Sequence, residues 1–169
     1  DYPGRVAATV FTGGCNFRCP FCHNGGLVLS PLTQEHYTEE DILDFLKKRK
    51  NILSGVCITG GEPTIQQDLP DFIQQIKELG LAVKLDTNGS HPHMLEELIG
   101  KKQIDYVAMD IKNTLGKYQA TTGLMGERTI AEASGNTFPV KAVQQSVELL
   151  KNANIPYEFR TTVVKEFHT

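Results

Sequence analysis

The 169-residue chain has no apolar run of the length that a membrane span needs, and neither a basic n-region nor an apolar h-region of a secretory signal. A soluble protein without a membrane partner is expected. It opens on Asp1 rather than Met and is read as lacking terminal portions. Excess basic charge is also missing. Seventeen Lys and Arg against twenty Asp and Glu leave a net charge of −3, which argues against a nucleic-acid surface. The one basic run, Lys47-Lys48-Arg49-Lys50, falls where a helix should end, and the helix dipole favours cations there. Cysteine is scarce: there are four, three of them too close together to pair with one another, so no disulfide framework is read and a reducing cytoplasm is expected. No repeat of fixed period is evident, and nothing supplies a second pair of ligands at zinc spacing.

What the chain does have is Cys15-Asn16-Phe17-Arg18-Cys19-Pro20-Phe21-Cys22, three thiols on a loop that follows an apolar run. Thiolates select zinc, copper(I) or iron–sulfur clusters, and four is the usual number for a structural zinc or an ordinary cluster. This loop is one short. The spacing C-x3-C-x2-C matches neither zinc ribbons nor ferredoxin runs, and Gly13-Gly14 free the backbone to wrap around a bulky core. An iron without a protein ligand can bind a substrate. The competing reading is a zinc knuckle completed by His23 or by Cys57. Cys57 itself reads as a small core residue in an apolar strand, and His91 and His93 flank a proline at a spacing that shares no helix face.

The remainder alternates strand and helix. Strands are expected over Arg5–Thr12, Gly55–Thr59, Leu81–Leu85, Ile104–Met109 and Tyr157–Val164. Residues 23–37 read as irregular. A helix opens with a Thr38-x-x-Asp41 capping box, carries Ile42, Phe45 and Leu46 as its stripe, and runs to Lys50. Others run from Pro70 to a Gly80 cap with Phe72, Ile73, Ile76 and Leu79 on one face, from Pro92 to Gly100 with Leu95, Leu98 and Ile99, and from Pro139 to Leu150. Residues 113–138 carry only a helical turn around Tyr118. The pattern is that of an α/β fold with parallel pairing through right-handed crossovers. The thiol loop, Gly60-Gly61-Glu62-Pro63, Asp86-Thr87-Asn88-Gly89 and Asp110-Ile111-Lys112 each end a different strand, where such folds keep their sites. Glu62 would supply an anion for a buried ammonium. Asp86 and Asp110 would meet Lys112, a ligand cation or a metal.

The thiol loop, with aromatic Phe21 before the last cysteine, resembles the radical S-adenosylmethionine (SAM) superfamily, and the likeness extends along essentially the whole chain. The resemblance implies a partial (β/α)6 barrel in one domain spanning residues 1–169. Five strands are counted, so the barrel is read as ending after the fifth, or one strand lies unrecognised in 113–138. It implies a [4Fe-4S] cluster held by Cys15, Cys19 and Cys22, with SAM chelating the fourth iron, Phe21 near the adenine, and Gly60, Gly61, Glu62 and Pro63 around the methionyl ammonium. Asp86, Thr87, Asn88, Asp110 and Lys112 would surround the SAM carboxylate and ribose, the acids able to hold a monovalent cation, and Arg160 would also reach SAM. The implied chemistry is reductive SAM cleavage to a radical that abstracts hydrogen. Asp1-Tyr2-Pro3-Gly4-Arg5, the Cys22-His23-Asn24 run, Thr122-Gly123 and Gly126-Glu127-Arg128 resemble the glycyl-radical-enzyme activating branch. Its partner would be an anaerobic ribonucleotide reductase or a pyruvate formate-lyase, with flavodoxin or ferredoxin as electron donor. Alternatives are a radical SAM enzyme acting on a small molecule such as a deazapurine precursor, and a zinc-binding interaction module.

Overall fold

Five short runs of small and β-branched residues pair as parallel strands in the order in which they occur: β1 Ala7–Thr12, β2 Gly55–Gly60, β3 Ala82–Thr87, β4 Tyr106–Asp110 and β5 Tyr157–Arg160. The computed structural model describes residues 1–124 and 139–168. Between the strands lie α1 Gly25–Leu29, α2 Glu39–Arg49, α3 Leu69–Glu78, α4 Pro92–Gly100, α5 Tyr118–Thr121 and α6 Val140–Asn152, and α7 Lys165–His168 follows β5. A parallel sheet whose strand order never reverses is wound as a barrel is, here a partial one.

Strand alternation gives the sheet two unlike faces. Val56, Ile58, Val83, Leu85, Val107 and Met109 join Leu43, Leu46, Ile73, Ile76, Leu95, Leu98 and Leu150 of the helices in one apolar core. The other face carries Thr9, Cys57, Lys84 and Tyr106 side by side in register, and beyond them Asp86, Asp110 and Arg160. The core face holds the strands together; the opposite face carries the charged side chains.

The capping box at Thr38 forms as expected, its hydroxyl accepting from the Asp41 N–H at 3.1 Å while Asp41 accepts from the Thr38 N–H at 3.0 Å. The stripe of α2 is rotated from the expected one: Leu43 and Leu46 are buried, whereas Phe45 is half exposed under the Arg49 guanidinium. Helix α3 buries Phe72, Ile73 and Ile76 and leaves through Gly80 at φ +79°. Helix α4 stops differently. Gly100 is its last helical residue, and the left-handed position falls on Lys102 at φ 54°. Hydrogen bonds from Lys102 N to Ile99 O and from Gln103 N to Leu98 O are a Schellman closure, which fixes the turn at that residue.

Two expectations are corrected. The stretch 23–37 is not wholly irregular, because α1 and a 3₁₀ turn at Pro31–Thr33 form in it despite poor local propensity. Tertiary bonds hold them, from Gly14 N to Leu27 O at 2.8 Å and from Asn24 Nδ2 to Gly60 O at 2.9 Å. Strand β5 ends at Arg160 rather than Val164, since β4 has already ended opposite it at Asp110. The turn around Tyr118 appears as a 3₁₀ turn leading into α5, with the Tyr118 ring against Phe17. Gly126-Glu127-Arg128 and most of the later part of 113–138 lie outside the described residues. Among the described residues no helix is long and apolar enough to cross a membrane.

Thr38→Ala should lower unfolding free energy by about 1 kcal/mol and Ile73→Ala by about 3 kcal/mol. Urea denaturation checks both: the midpoints should fall in that order with the slope unchanged.

Candidate active site

The site is built from turns that touch. Gly61 N donates to Thr12 O and Glu62 N to Gly14 O, both at 2.8 Å, so the turn after β2 lies directly on the chain leaving β1. A Cβ on Gly61 would fall inside the Gly14 carbonyl, and one on Gly60, at φ +111°, would strike the Thr12 backbone. These two glycines are thus required by contact between turns within the protein. On the far side of the thiol loop Arg18 N donates to Thr122 O at 2.8 Å, and a Cβ on Gly123 would collide with the Arg18 carbonyl. This explains Thr122-Gly123 as the backing of the loop.

Glu62 is the clamp between β2 and β3. Only 1% exposed, its Oε1 accepts from Thr64 N, Thr64 Oγ1 and Thr87 Oγ1, and its Oε2 accepts from Asn88 N at 2.6 Å. Burial pushes its carboxyl above the ordinary glutamate range, and these donors pull against that shift. Oε2, with one donor, retains acceptor capacity. Pro63, buried, opens the 3₁₀ turn that carries Thr64. Asn88 extends the clamp: its Nδ2 reaches Asn16 Oδ1 at 3.0 Å and Cys15 Sγ at 3.8 Å. Asn16 in turn donates to Ser90 Oγ at 2.8 Å.

Cys15 and Cys19 are half-buried and Cys22 is exposed. Burial raises the Cys15 thiol, offset in part by the Phe17 N–H on its sulfur, and raises Cys19 to about 11, offset in part by the nearby Lys112 ammonium. Among the described residues no group of three His, Cys, Asp or Glu side chains is placed to hold a single metal ion. His23 is exposed, and Cys57 lies on β2 with Lys84 3.9 Å from its sulfur. Three thiols without a fourth ligand suit a cube, whose irons take one thiolate each. Phe21 packs at a tilt against Phe167 and edge-on to His168 of α7, at 5.5 and 6.5 Å between centroids. His91 precedes α4 with its Nδ1 3.0 Å from Ser90 Oγ, and His93 is exposed.

The charged residues form a chain across β3, β4 and β5. Lys84 Nζ pairs with Asp86 Oδ1, Arg160 bridges Asp86 Oδ2 and Asp110 Oδ1 at 3.2 Å each, and Lys112 Nζ pairs with Asp110 Oδ2 at 2.8 Å. Burial alone would lower the Lys112 and Arg160 pKa values; the neighbouring carboxylates outweigh it and hold both cations above their ordinary values. Asp86, Asp110, Lys112 and Arg160 were legible as a group, but Asp86 meets Lys84 and Arg160 rather than Lys112. Lys84, Asn16 and Ser90 join the site beyond the residues expected from the sequence, and Asn24, expected only as part of the Cys22-His23-Asn24 run, ties the loop to Gly60. A lone charge inside Leu81-Ala82-Val83-Lys84-Leu85 was the available signal for the first of these.

Gly61→Ala should part the two turns and lower stability by more than about 2 kcal/mol, seen as a drop in the urea midpoint. In the metal-free protein at neutral pH, iodoacetamide should label Cys22 first, Cys15 and Cys19 more slowly and Cys57 last, read by peptide mass spectrometry.

Comparison with known proteins places this geometry. A protein of Methanocaldococcus jannaschii provisionally named a glycyl-radical enzyme activating enzyme is 38% identical over 168 residues, covering 97% of this chain and 64% of its own length. One of Thermococcus kodakarensis provisionally named a GTP 3′,8-cyclase is 27% identical over 91% of this chain and 46% of its own length. This chain therefore spans less than two thirds of either curated relative. Among solved structures, anSMEcpe with bound AdoMet matches 91% of this chain and 42% of its own at a TM-score of 0.63 and 18% identity, a likeness of fold. The family model of the radical SAM superfamily matches residues 9–167, and the chain belongs to that superfamily.

Proposed function

We propose that this chain is the core of an activase that cleaves SAM reductively and generates a glycyl radical on a partner enzyme of the anaerobic ribonucleotide reductase or pyruvate formate-lyase type. The observation that carries the reading is the three-thiol loop, seated by Asn88 and Gly14 directly above the Glu62 clamp. The 38% identity to a named activase supports the choice of branch. Membership of the superfamily implies a [4Fe-4S] cluster and SAM.

Cys15, Cys19 and Cys22 would hold the cluster, which when bound supplies one low-potential electron. The other residues bind and orient. Gly60, Gly61 and Pro63 would receive the methionyl group, and Glu62, through Oε2 and through the turn it fixes, would favour the ammonium. Lys112 and Arg160 would take the carboxylate, Thr87, Asn88, Asp86 and Asp110 hold those groups in place, and Phe21 would lie by the adenine. Flavodoxin or ferredoxin would deliver the electron, in the cytoplasm. A second reading, radical chemistry on a small molecule, draws on the similarity to the named GTP 3′,8-cyclase.

Anaerobic reconstitution should give about four irons per chain and, with a reductant, 5′-deoxyadenosine. Addition of the partner reductase should give a glycyl-radical signal in paramagnetic resonance; consumption of a nucleotide with no such signal would favour the second reading. Stoichiometric zinc with no SAM turnover would refute both. Cys15→Ala, Cys19→Ala and Cys22→Ala should each abolish turnover. Glu62→Gln should weaken SAM binding on the order of tenfold with iron content unchanged.

A further inference from the structure

We propose that Lys84 is a built-in counter-cation: its ammonium neutralises Asp86 from below, as a bound monovalent cation would, and so positions Asp86 for Arg160. The inference draws on the SAM-binding part of the function proposed above and is independent of the partner enzyme.

Lys84 is fully buried in the middle of β3, where an ammonium is tolerated only if paired. Its pair is Asp86, 9% exposed, and its remaining neighbours are soft: the Cys57 sulfur at 3.9 Å and the Tyr106 ring at 5.9 Å. Lys84 thus sits on the inner face one same-face position below Asp86, as its floor, while Asp110 lies a further position along β4. The rest follows from counting oxygens. Asp86 Oδ1 faces Lys84, Asp86 Oδ2 and Asp110 Oδ1 both face Arg160, and Asp110 Oδ2 faces Lys112. Each of the four carboxylate oxygens already meets a cation of the chain. Two carboxylates among three cations leave a charge of +1, so a further metal cation would enter a region that repels it. Without Lys84 the cluster would be neutral, and Asp86 Oδ1 would be buried without its cation. The carboxylates of this chain therefore do not fit a monovalent ion, and the surplus charge is directed at an anion, the carboxylate of an amino-acid ligand.

Thermal unfolding of the protein, and equilibrium binding of SAM to the reconstituted protein, are measured in potassium, sodium and choline chloride at equal ionic strength. Wild type and Lys84→Arg should give the same melting temperature and the same SAM affinity in all three salts. Lys84→Met should melt lower in choline and bind SAM on the order of tenfold more weakly, with potassium or sodium restoring most of both. A purely structural lysine would lower the melting temperature without creating dependence on the cation. Should Lys84→Met not fold, Lys84→Gln carries the same comparison. A potassium- or sodium-specific rise in wild-type melting temperature or SAM affinity overturns the inference, as does a Lys84 variant indifferent to the salt. Failure of wild type to bind SAM refutes the proposed function, while the melting arm still decides the role of Lys84.

Discussion

A single buried carboxylate holds the mouth of this sheet together. Glu62 gathers donors from Thr64, Thr87 and Asn88, and so ties the turn after β2 to the turn after β3. Burying a carboxylate is costly, and hydrogen bonds to its charged form offset that cost. The interaction also transmits position. Glu62 N reaches Gly14, Asn88 reaches Cys15 and Asn16, and Asn16 reaches Ser90, so the sulfur-bearing loop inherits its placement from strands whose other face is locked in the core. A loop rich in glycine has no rigidity of its own. Here it borrows rigidity from β2 and β3.

Charge is distributed unevenly across the sheet. Among the described carboxylates of the site, Glu62, at β2, has no paired cation, whereas the surplus positive charge, on Arg160 and Lys112, lies at β4 and β5. Asp86 and Asp110 lie between, each saturated by cations on both oxygens. Such polarity matches an α-amino acid head, whose ammonium and carboxylate are held a fixed distance apart. Complementarity of this kind fixes orientation more than it adds affinity, because each pairing replaces good hydration.

Much of this was legible in the sequence, for identifiable reasons. Strands buried on one face by helices must be apolar there, so β1 to β4 announce themselves, and the caps at Thr38 and Gly80 follow from local hydrogen bonding and backbone freedom. The thiol loop, the GGEP turn, DTNG and DIK could be grouped because each ends a strand. What escaped depends on contacts between distant residues. Helix α1 begins with two glycines and exists because Gly14 and Asn24 secure it. The end of β5 is set by its neighbour, and the face of α2 by the core against which it packs. Lys84 escaped because its pairing with Asp86, two residues on, depends on the strand putting both side chains on one buried face, and its contact with Tyr106 on the β3–β4 register.

The roles of the glycines in the GGEP turn show how one sequence feature can have two physical causes. Glycine permits close approach, and the sequence suggests approach to a ligand. The structure shows approach of protein to protein, with Gly61 on Gly14 and Gly60 on Thr12. The two causes converge on the same outcome. Bringing the turn against β1 extends the β1–β2 ladder past the last paired strand residues, Thr12 and Gly60, and delivers Glu62 at the height of the thiol loop. A side chain at either glycine would lift the turn away, and the carboxylate, the asparagine and the sulfurs would lose their common frame. The glycines would serve the proposed ligand site by first allowing the protein to close on itself.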